Sequence, residues 1–295
     1  MPKPHSSLVR DYYAQHSVIT DPGGYASLFD PLPRNIPALV KVVQGLLLHL
    51  LWAKSYHVWI SEERRHEIYL RSIPEVLERI LALNSSPLWI PRPTDERLIG
   101  ICRDFGVLLV SILRHQGVPA RLRVGFAGYF RSPALRFWDH RIAEYWDEQR
   151  ERWILVDPQI DDIQRQTIGL DFDPLNITAD SPFHLAGEVW RQCRAGKGNA
   201  QEYGDSPEDR GMPPIRYALL HDLDALNKVE LVGFDAWHTL IDKPEEELAE
   251  EERAFLDQAA EATIQVDSNF ARLRALYNTS AYGQTVQARL SSLRA

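Results

Sequence analysis

Three residues between Gly100 and Asp157 are of the types that together attack a carbonyl carbon: Cys102, His140 and Asp157. A thiolate is the nucleophile, an imidazole removes the thiol proton and later returns it to the leaving group, and a carboxylate fixes the imidazole tautomer and stabilises its charged form. The chemistry of that set is acyl transfer through a thioester.

The surrounding sequence must place these groups. Phe105, Leu108, Leu109, Ile112 and Leu113 recur with the spacing of one helical face, and Gly117 and Pro119 stop the pattern. Cys102 precedes Phe105 by three residues, so its thiol is expected on the inward face at the helix N-terminus. There the unpartnered N–H groups favour a thiolate and donate to an oxyanion. The run ARLRVGFAGYF reads as a strand ending near Phe130, followed by a loop through Arg131, Ser132 and Pro133. In WDHRIAEYWDEQRERWILVDP, two strand-like runs flank a polar break at residues 147–150. Symmetric closure pairs Trp146 with Glu151, Glu144 with Trp153, Ile142 with Leu155 and His140 with Asp157, an expectation that puts the carboxylate directly opposite the imidazole.

These pieces together resemble the core of the transglutaminase-like superfamily: a cysteine at a helix start, RHQGVPAR, a strand into VGF, DH before an aromatic strand, and W-x-x-x-DP. The resemblance spans about Gly100 to Pro158. It implies a papain-like fold, with nucleophile, base and orienting acid on Cys102, His140 and Asp157. Transglutaminases, bacterial and archaeal peptidases and peptide N-glycanases share that core. This sequence departs from the common pattern in having Arg141 and Ile142 after the histidine, and it lacks the C-x-x-C pairs of the glycanases. The family often carries an aromatic oxyanion residue upstream of the cysteine, for which Trp89 and Trp59 both stand; helix geometry makes the Cys102 amide a donor in either case.

Composition bounds the rest. At 295 residues, 44% apolar and 25% charged, the chain has the make-up of a globular protein able to bury a large core. A net charge of −8 argues against nucleic acid as a partner. Two cysteines, Cys102 and Cys193, make no disulfide framework and fit a reducing, cytoplasmic setting. The opening MPKPHSSLVRDYYAQHS has no signal-like apolar core, and the stretch Leu46 to Ala53 is too short to span a bilayer, so no membrane association is expected. Asp161, Asp162, Asp171 and Asp173 lack the pattern of a calcium loop and read as acidic surface. No metal or organic cofactor is implied.

In chain order, residues 1–34 read as an ordered but largely irregular arm. Pro37 to Ser55 reads as one helix, and Ser72 with Glu75 forms a capping box opening a helix to Asn84. Trp89 lies on a loop, either walling the site or plugging the core. Phe183 to Arg194 reads as a helix, with Cys193 a buried, inert thiol; residues 196–214 form a flexible loop, a surface loop or a lid. Helices follow over Tyr217–Asn227, Pro244–Ala260 and Ile264–Tyr277, with a short one after Gly283. The expected organisation is an N-terminal arm and helices over 1–99, a transglutaminase-like catalytic core over 100–195, the loop 196–214, and a C-terminal helical segment over 215–295 in the same compact domain. The fold class is α+β: a papain-like, transglutaminase-like core with an antiparallel sheet on the nucleophile helix and additional N- and C-terminal helices.

Singly, Cys102 reads as a small buried hydrophobe, His140 as a strand histidine and Asp157 as a turn residue; only their joint spacing argues for a site. The expected enzyme forms a thioester from an amide or acyl substrate, whether a small molecule, a peptide or a carrier-tethered group, and passes it to an amine or to water. A cysteine peptidase or amidase shares that chemistry. A non-catalytic protein-binding module of the same fold, or a helical scaffold with an accidental triad, predicts an unreactive Cys102.

Overall fold

The computed structural model describes residues 5–130 and 135–292, so the expected loop through Arg131, Ser132 and Pro133 lies outside the described residues. In order, the helices and strands are α1 (His5–Tyr13), α2 (Ile36–Leu46), β1 (Leu47–His49), α3 (Glu62–Arg65), α4 (Ile73–Leu83), β2 (Leu98–Gly100), α5 (Cys102–His115), β3 (Ala120–Ala127), β4 (Phe137–Asp147), β5 (Arg152–Val156), α6 (Asp162–Ile168), β6 (Phe183–Leu185), α7 (Ala186–Arg194), β7 (Tyr203–Gly204), α8 (Met212–Leu226), α9 (Glu250–Ile264), α10 (Val266–Thr279) and α11 (Ala281–Ser292). The fold is α+β with antiparallel strand pairing. Two units divide the chain: one of residues 10–122 and 141–181, the other of residues 5–9, 123–130, 135–140 and 182–292.

In the first unit, Asn35 starts α2 by accepting from the Ala38 N–H at 2.9 Å. The helix ends at Leu46 rather than continuing to Ser55. Leu47, Leu48 and His49 instead pair parallel with Leu98, Ile99 and Gly100. All three are buried, and a partner strand outweighs the helical spacing of their leucines. A tight turn over Leu50–Tyr56 follows, capped by His49 Nδ1, which accepts from the Leu51 N–H at 3.2 Å. The arm is also less irregular than expected, since His5–Tyr13 is helical. Ser72 and Glu75 do cap α4, the Glu75 carboxylate accepting from the Ser72 N–H at 2.7 Å.

Helix α5 packs against α2, α4, β1 and β2. On the side of β3 and β4, Gly106 gives the close approach: a Cβ there would lie 2.5 Å from Leu122 Cδ1 and 3.6 Å from the Ile142 carbonyl carbon. The β4–β5 hairpin closes in a different register from the symmetric one. Asp147 pairs with Arg152, Trp146 with Trp153, Glu144 with Leu155 and Ala143 with Val156, so each β4 residue meets a partner two positions further on than expected. The cause lies in the turn. Asp147 Oδ1 accepts from the N–H groups of Gln149 and Arg150, both at 2.9 Å, and Glu151 takes a left-handed φ of 48°. These interactions make Asp147 the last paired residue and 148–151 the loop. Trp146 and Trp153 then meet edge to face, ring centres 5.7 Å apart.

In the second unit, β3 ends at Ala127, short of Phe130, and its residues Gly125 to Ala127 pair antiparallel with β6. Phe183 to Leu185 are therefore a strand, and the helix expected from Phe183 begins only at Ala186. Residues 137 and 138 of β4 pair parallel with β7. Helices α7, α8 and α9 pack on one another, α10 on α9 and α11 on α10. A buried bidentate pair joins strand to helices: Arg123 Nε and Nη2 reach the two Asp222 oxygens at 3.1 and 3.0 Å, and Nη2 also donates to the Thr263 carbonyl at 2.8 Å. Further along α8, the fully buried Asp224 accepts from the Tyr282 hydroxyl of α11 at 2.6 Å.

Burial pushes the Asp224 carboxyl up to about 7, against the Tyr282 and Tyr277 hydroxyls, which act to lower it. Its folded value thus exceeds the unfolded one of about 3.9, so the native state holds the extra proton between these two values. Stability from the protonated form is full below the unfolded value and is lost as pH rises toward 7. Between pH 5 and pH 8 the wild type should therefore lose about 2–3 kcal/mol relative to Asp224→Asn. Urea denaturation of both proteins across that range measures the difference, and parallel curves would refute it.

Candidate active site

Cys102 is the first residue of α5 and is buried, 8% exposed. The start of this helix is fixed by its own first turn. Asp104 Oδ2 accepts from the Ile101 N–H at 2.8 Å, while Oδ1 takes Arg103 Nη1 at 3.0 Å. Arg103 Nη2 in turn donates to the Arg71 carbonyl at 2.6 Å, tying the turn to the segment before α4. Gly100 leaves room for this carboxylate, since a Cβ there would stand 3.0 Å from Asp104 Oδ2. Burial pushes the Asp104 carboxyl up from its ordinary value, against Arg103, the Ile101 N–H and His49. Just upstream, Glu67 Oε2 accepts from the Ile99 N–H at 2.7 Å, and Arg64 and Arg79 hold its other oxygen at 3.0 and 2.7 Å. Both sides of the segment entering Cys102 are therefore clamped by buried, charge-compensated carboxylates. Cys102 thus stands at the N-terminus of α5, where the helix dipole favours a thiolate or an oxyanion.

Asp157 follows β5 in the same unit and is 1% exposed. Its Oδ1 accepts from the Gln159 N–H at 3.0 Å, and its own N–H donates to the Pro174 carbonyl at 2.8 Å. The side chain of Gln44, on α2, donates to the carbonyls of Pro158 and Ile160 at 3.3 and 3.0 Å. Gln159 is held on its other side by Gln164, Nε2 to Oε1 at 3.1 Å. The observed register ends at Ala143–Val156, one residue short of Asp157, and sets Glu144 opposite Leu155 where symmetric closure sets it opposite Trp153.

His140 belongs to the second unit and is 2% exposed. Its ring is met edge to face by Phe130 at 5.0 Å, Tyr129 at 5.9 Å and Phe183 at 6.4 Å between centres. Three rings presented this way restrict the plane of the imidazole by contact alone. Nearby, His184 Nδ1 lies 3.1 Å from the Tyr203 hydroxyl, and burial holds His184 below its ordinary value. Cys193 is half-buried; burial first, and Glu202 second, push its thiol up.

Of the two upstream tryptophans, Trp59 is 94% exposed, whereas Trp89 is half exposed and lines a groove of about 630 Å³ with Gln44, Lys41 and Ile163. Asp161 of the acidic loop caps α6 through the Gln164 N–H and accepts from Tyr56 at 2.6 Å. Among the described residues, no group of three or more His, Cys, Asp or Glu side chains is placed to hold a metal, and no helix is long and apolar enough to cross a membrane. Sequence reading passed over Asp104 and Gln44. For Gln44 the signal is a lone polar residue inside an apolar run, VVQGLLL; Asp104, next to Arg103 at the edge of its run, gives no such signal.

Residues 79–158 match the model of the transglutaminase-like superfamily. The chain contains a transglutaminase-like core. That core is of the cysteine-enzyme type, and the match includes Cys102, His140 and Asp157. A solved structure from Cytophaga hutchinsonii, provisionally described as a cysteine protease, is similar at 15% identity over 51% of this chain and 42% of that one, with a TM-score of 0.32. A score that low transfers neither fold nor activity. No curated protein matches the chain.

Because Asp104 supplies the counter-charge to buried Arg103 as well as the acceptor for Ile101, Asp104→Ala should destabilise the protein by about 3 kcal/mol. Asp104→Asn, which keeps an acceptor, should cost less. Guanidinium unfolding of the two variants checks the order, and equal losses would contradict the role of the acceptor for the Ile101 N–H.

Proposed function

We propose that this protein is a cysteine acyl-enzyme catalyst, with Cys102 as nucleophile, His140 as general base and acid, and Asp157 as the group that orients the imidazole. One observation carries the reading: Cys102 opens a buried helix whose start is rigidly clamped, inside the stretch that matches the transglutaminase-like model.

In this mechanism His140 takes the Cys102 proton, and the thiolate adds to the carbonyl carbon of an amide or acyl substrate. The resulting oxyanion is held by backbone N–H groups at the α5 N-terminus, Cys102's own among them. Collapse breaks the bond to the leaving group, which departs with the proton from His140 and leaves a thioester. An incoming amine or water then gives its proton to His140, attacks the thioester and releases Cys102. An amine acceptor makes the enzyme a transferase; water makes it a peptidase or amidase. The donor is a small-molecule, peptide or carrier-tethered acyl group. A reducing compartment such as the cytoplasm keeps the thiol in working form. The competing reading, a protein-binding module of the same fold, predicts an inert thiol.

Iodoacetamide labelling followed by peptide mass analysis separates these readings, with Cys193 as the internal control. At pH 6, Cys102 should label on the order of 10-fold faster than Cys193, and His140→Ala should remove the advantage. If Cys102 labels no faster than Cys193 in the folded protein, yet both label readily once unfolded, the catalytic reading fails.

A further inference from the structure

The carboxylate of Asp157 accepts from a peptide group that has a second attachment. Its N–H, from Gln159, donates to Asp157 Oδ1 at 3.0 Å. Its carbonyl, from Pro158, accepts from Gln44 Nε2 at 3.3 Å, and the same nitrogen donates to the Ile160 carbonyl at 3.0 Å. We propose that Gln44 is a positioning residue for the proposed catalytic carboxylate, holding the 158–159 peptide plane so that its N–H stays on Asp157; this rests on the Cys102–His140–Asp157 reading.

The geometry gives two physical reasons. A peptide unit is planar, so fixing the direction of its carbonyl fixes the direction of its N–H. A donor on the carbonyl also polarises the unit and strengthens the bond its N–H makes. The identity of the side chain fits this task. Gln44 is 7% exposed on a helix whose other inward residues are apolar, and its Oε1 has no hydrogen-bond partner among the described residues. Leucine or methionine would pack there without leaving an acceptor unsatisfied, so packing does not account for an amide. Glutamate would present acceptors to two carbonyls, and lysine would bury a charge; a neutral amide supplies two donors without either penalty. The far side of the turn is already tied through Gln159 to Gln164, leaving the Pro158 carbonyl as the point where α2 controls the carboxylate.

The test compares full-length wild type, Gln44→Met and Asp157→Asn. Methionine keeps the volume and removes the donors. Two readouts are taken: hydrogen exchange of the Gln159 amide, and the pH profile of Cys102 alkylation with Cys193 as control. Gln44→Met should speed exchange at Gln159 at least 10-fold while α5 keeps its protection, and should move the alkylation profile in the same direction as Asp157→Asn, by a smaller amount. The proposal is overturned if Asp157→Asn moves the profile and Gln44→Met does not, even where exchange quickens, because the brace would then be structural only. If Asp157→Asn also leaves the profile in place, it is the triad reading that fails, and this inference with it. Should Gln44→Met not fold, Gln44→Asn, which draws the amide back by one methylene, replaces it with the same criteria.

Discussion

The carboxylate of Asp104 bonded to the Ile101 N–H is the contact on which the rest of the proposed site depends. A helix can begin at any of several neighbouring residues, and each choice turns the first side chain by about 100°. Binding the Ile101 amide selects the start that makes Cys102 the first helical residue. Arg103 then ties that choice to the segment before α4, and Glu67 ties β2 immediately upstream. Placement of Cys102 is an electrostatic matter before it is a packing one: two buried acids, each compensated by arginine, define where the apolar face of α5 starts.

The same unit shows how the backbone polar groups that the helix and strand ladders leave over are used. Arg92, buried beside the Trp89 loop, donates to the carbonyls of Asn84, Pro87 and Ile90, and Gln44 does likewise for the turn after Asp157. Irregular segments lack ladders of their own, so buried carbonyls there need side-chain donors. That requirement explains why buried arginine and glutamine side chains stand against these irregular segments.

Sequence was informative where a local rule acts alone. The α5 face from Phe105 to Leu113, its stop at Gly117 and the Ser72–Glu75 cap are all set by residues within a turn or two of one another. It was uninformative where a distant partner intervenes. Leu47 to His49 have helical spacing, yet β2, some fifty positions away, makes them a strand. The hairpin register turned on whether Asp147 belongs to strand or loop, which its side-chain bonds to Gln149 and Arg150 decide and composition does not. Gln44 gave a visible anomaly without an address, because nothing in the sequence says which carbonyls a buried amide will meet. For Cys102, His140 and Asp157, residue type and spacing were legible; the backbone that aims Asp157 was not.

Neither unit is a continuous piece of chain. The polypeptide passes from one to the other inside α1, β3 and β4 and again after Ser181. No single continuous stretch of chain holds either unit whole, so recombination cannot exchange either as a cassette. Segments far apart in sequence must meet before either core closes, which raises contact order and slows folding relative to a chain of successive modules. Changes of length are best accommodated in exposed turns such as 148–151, which interrupt neither core.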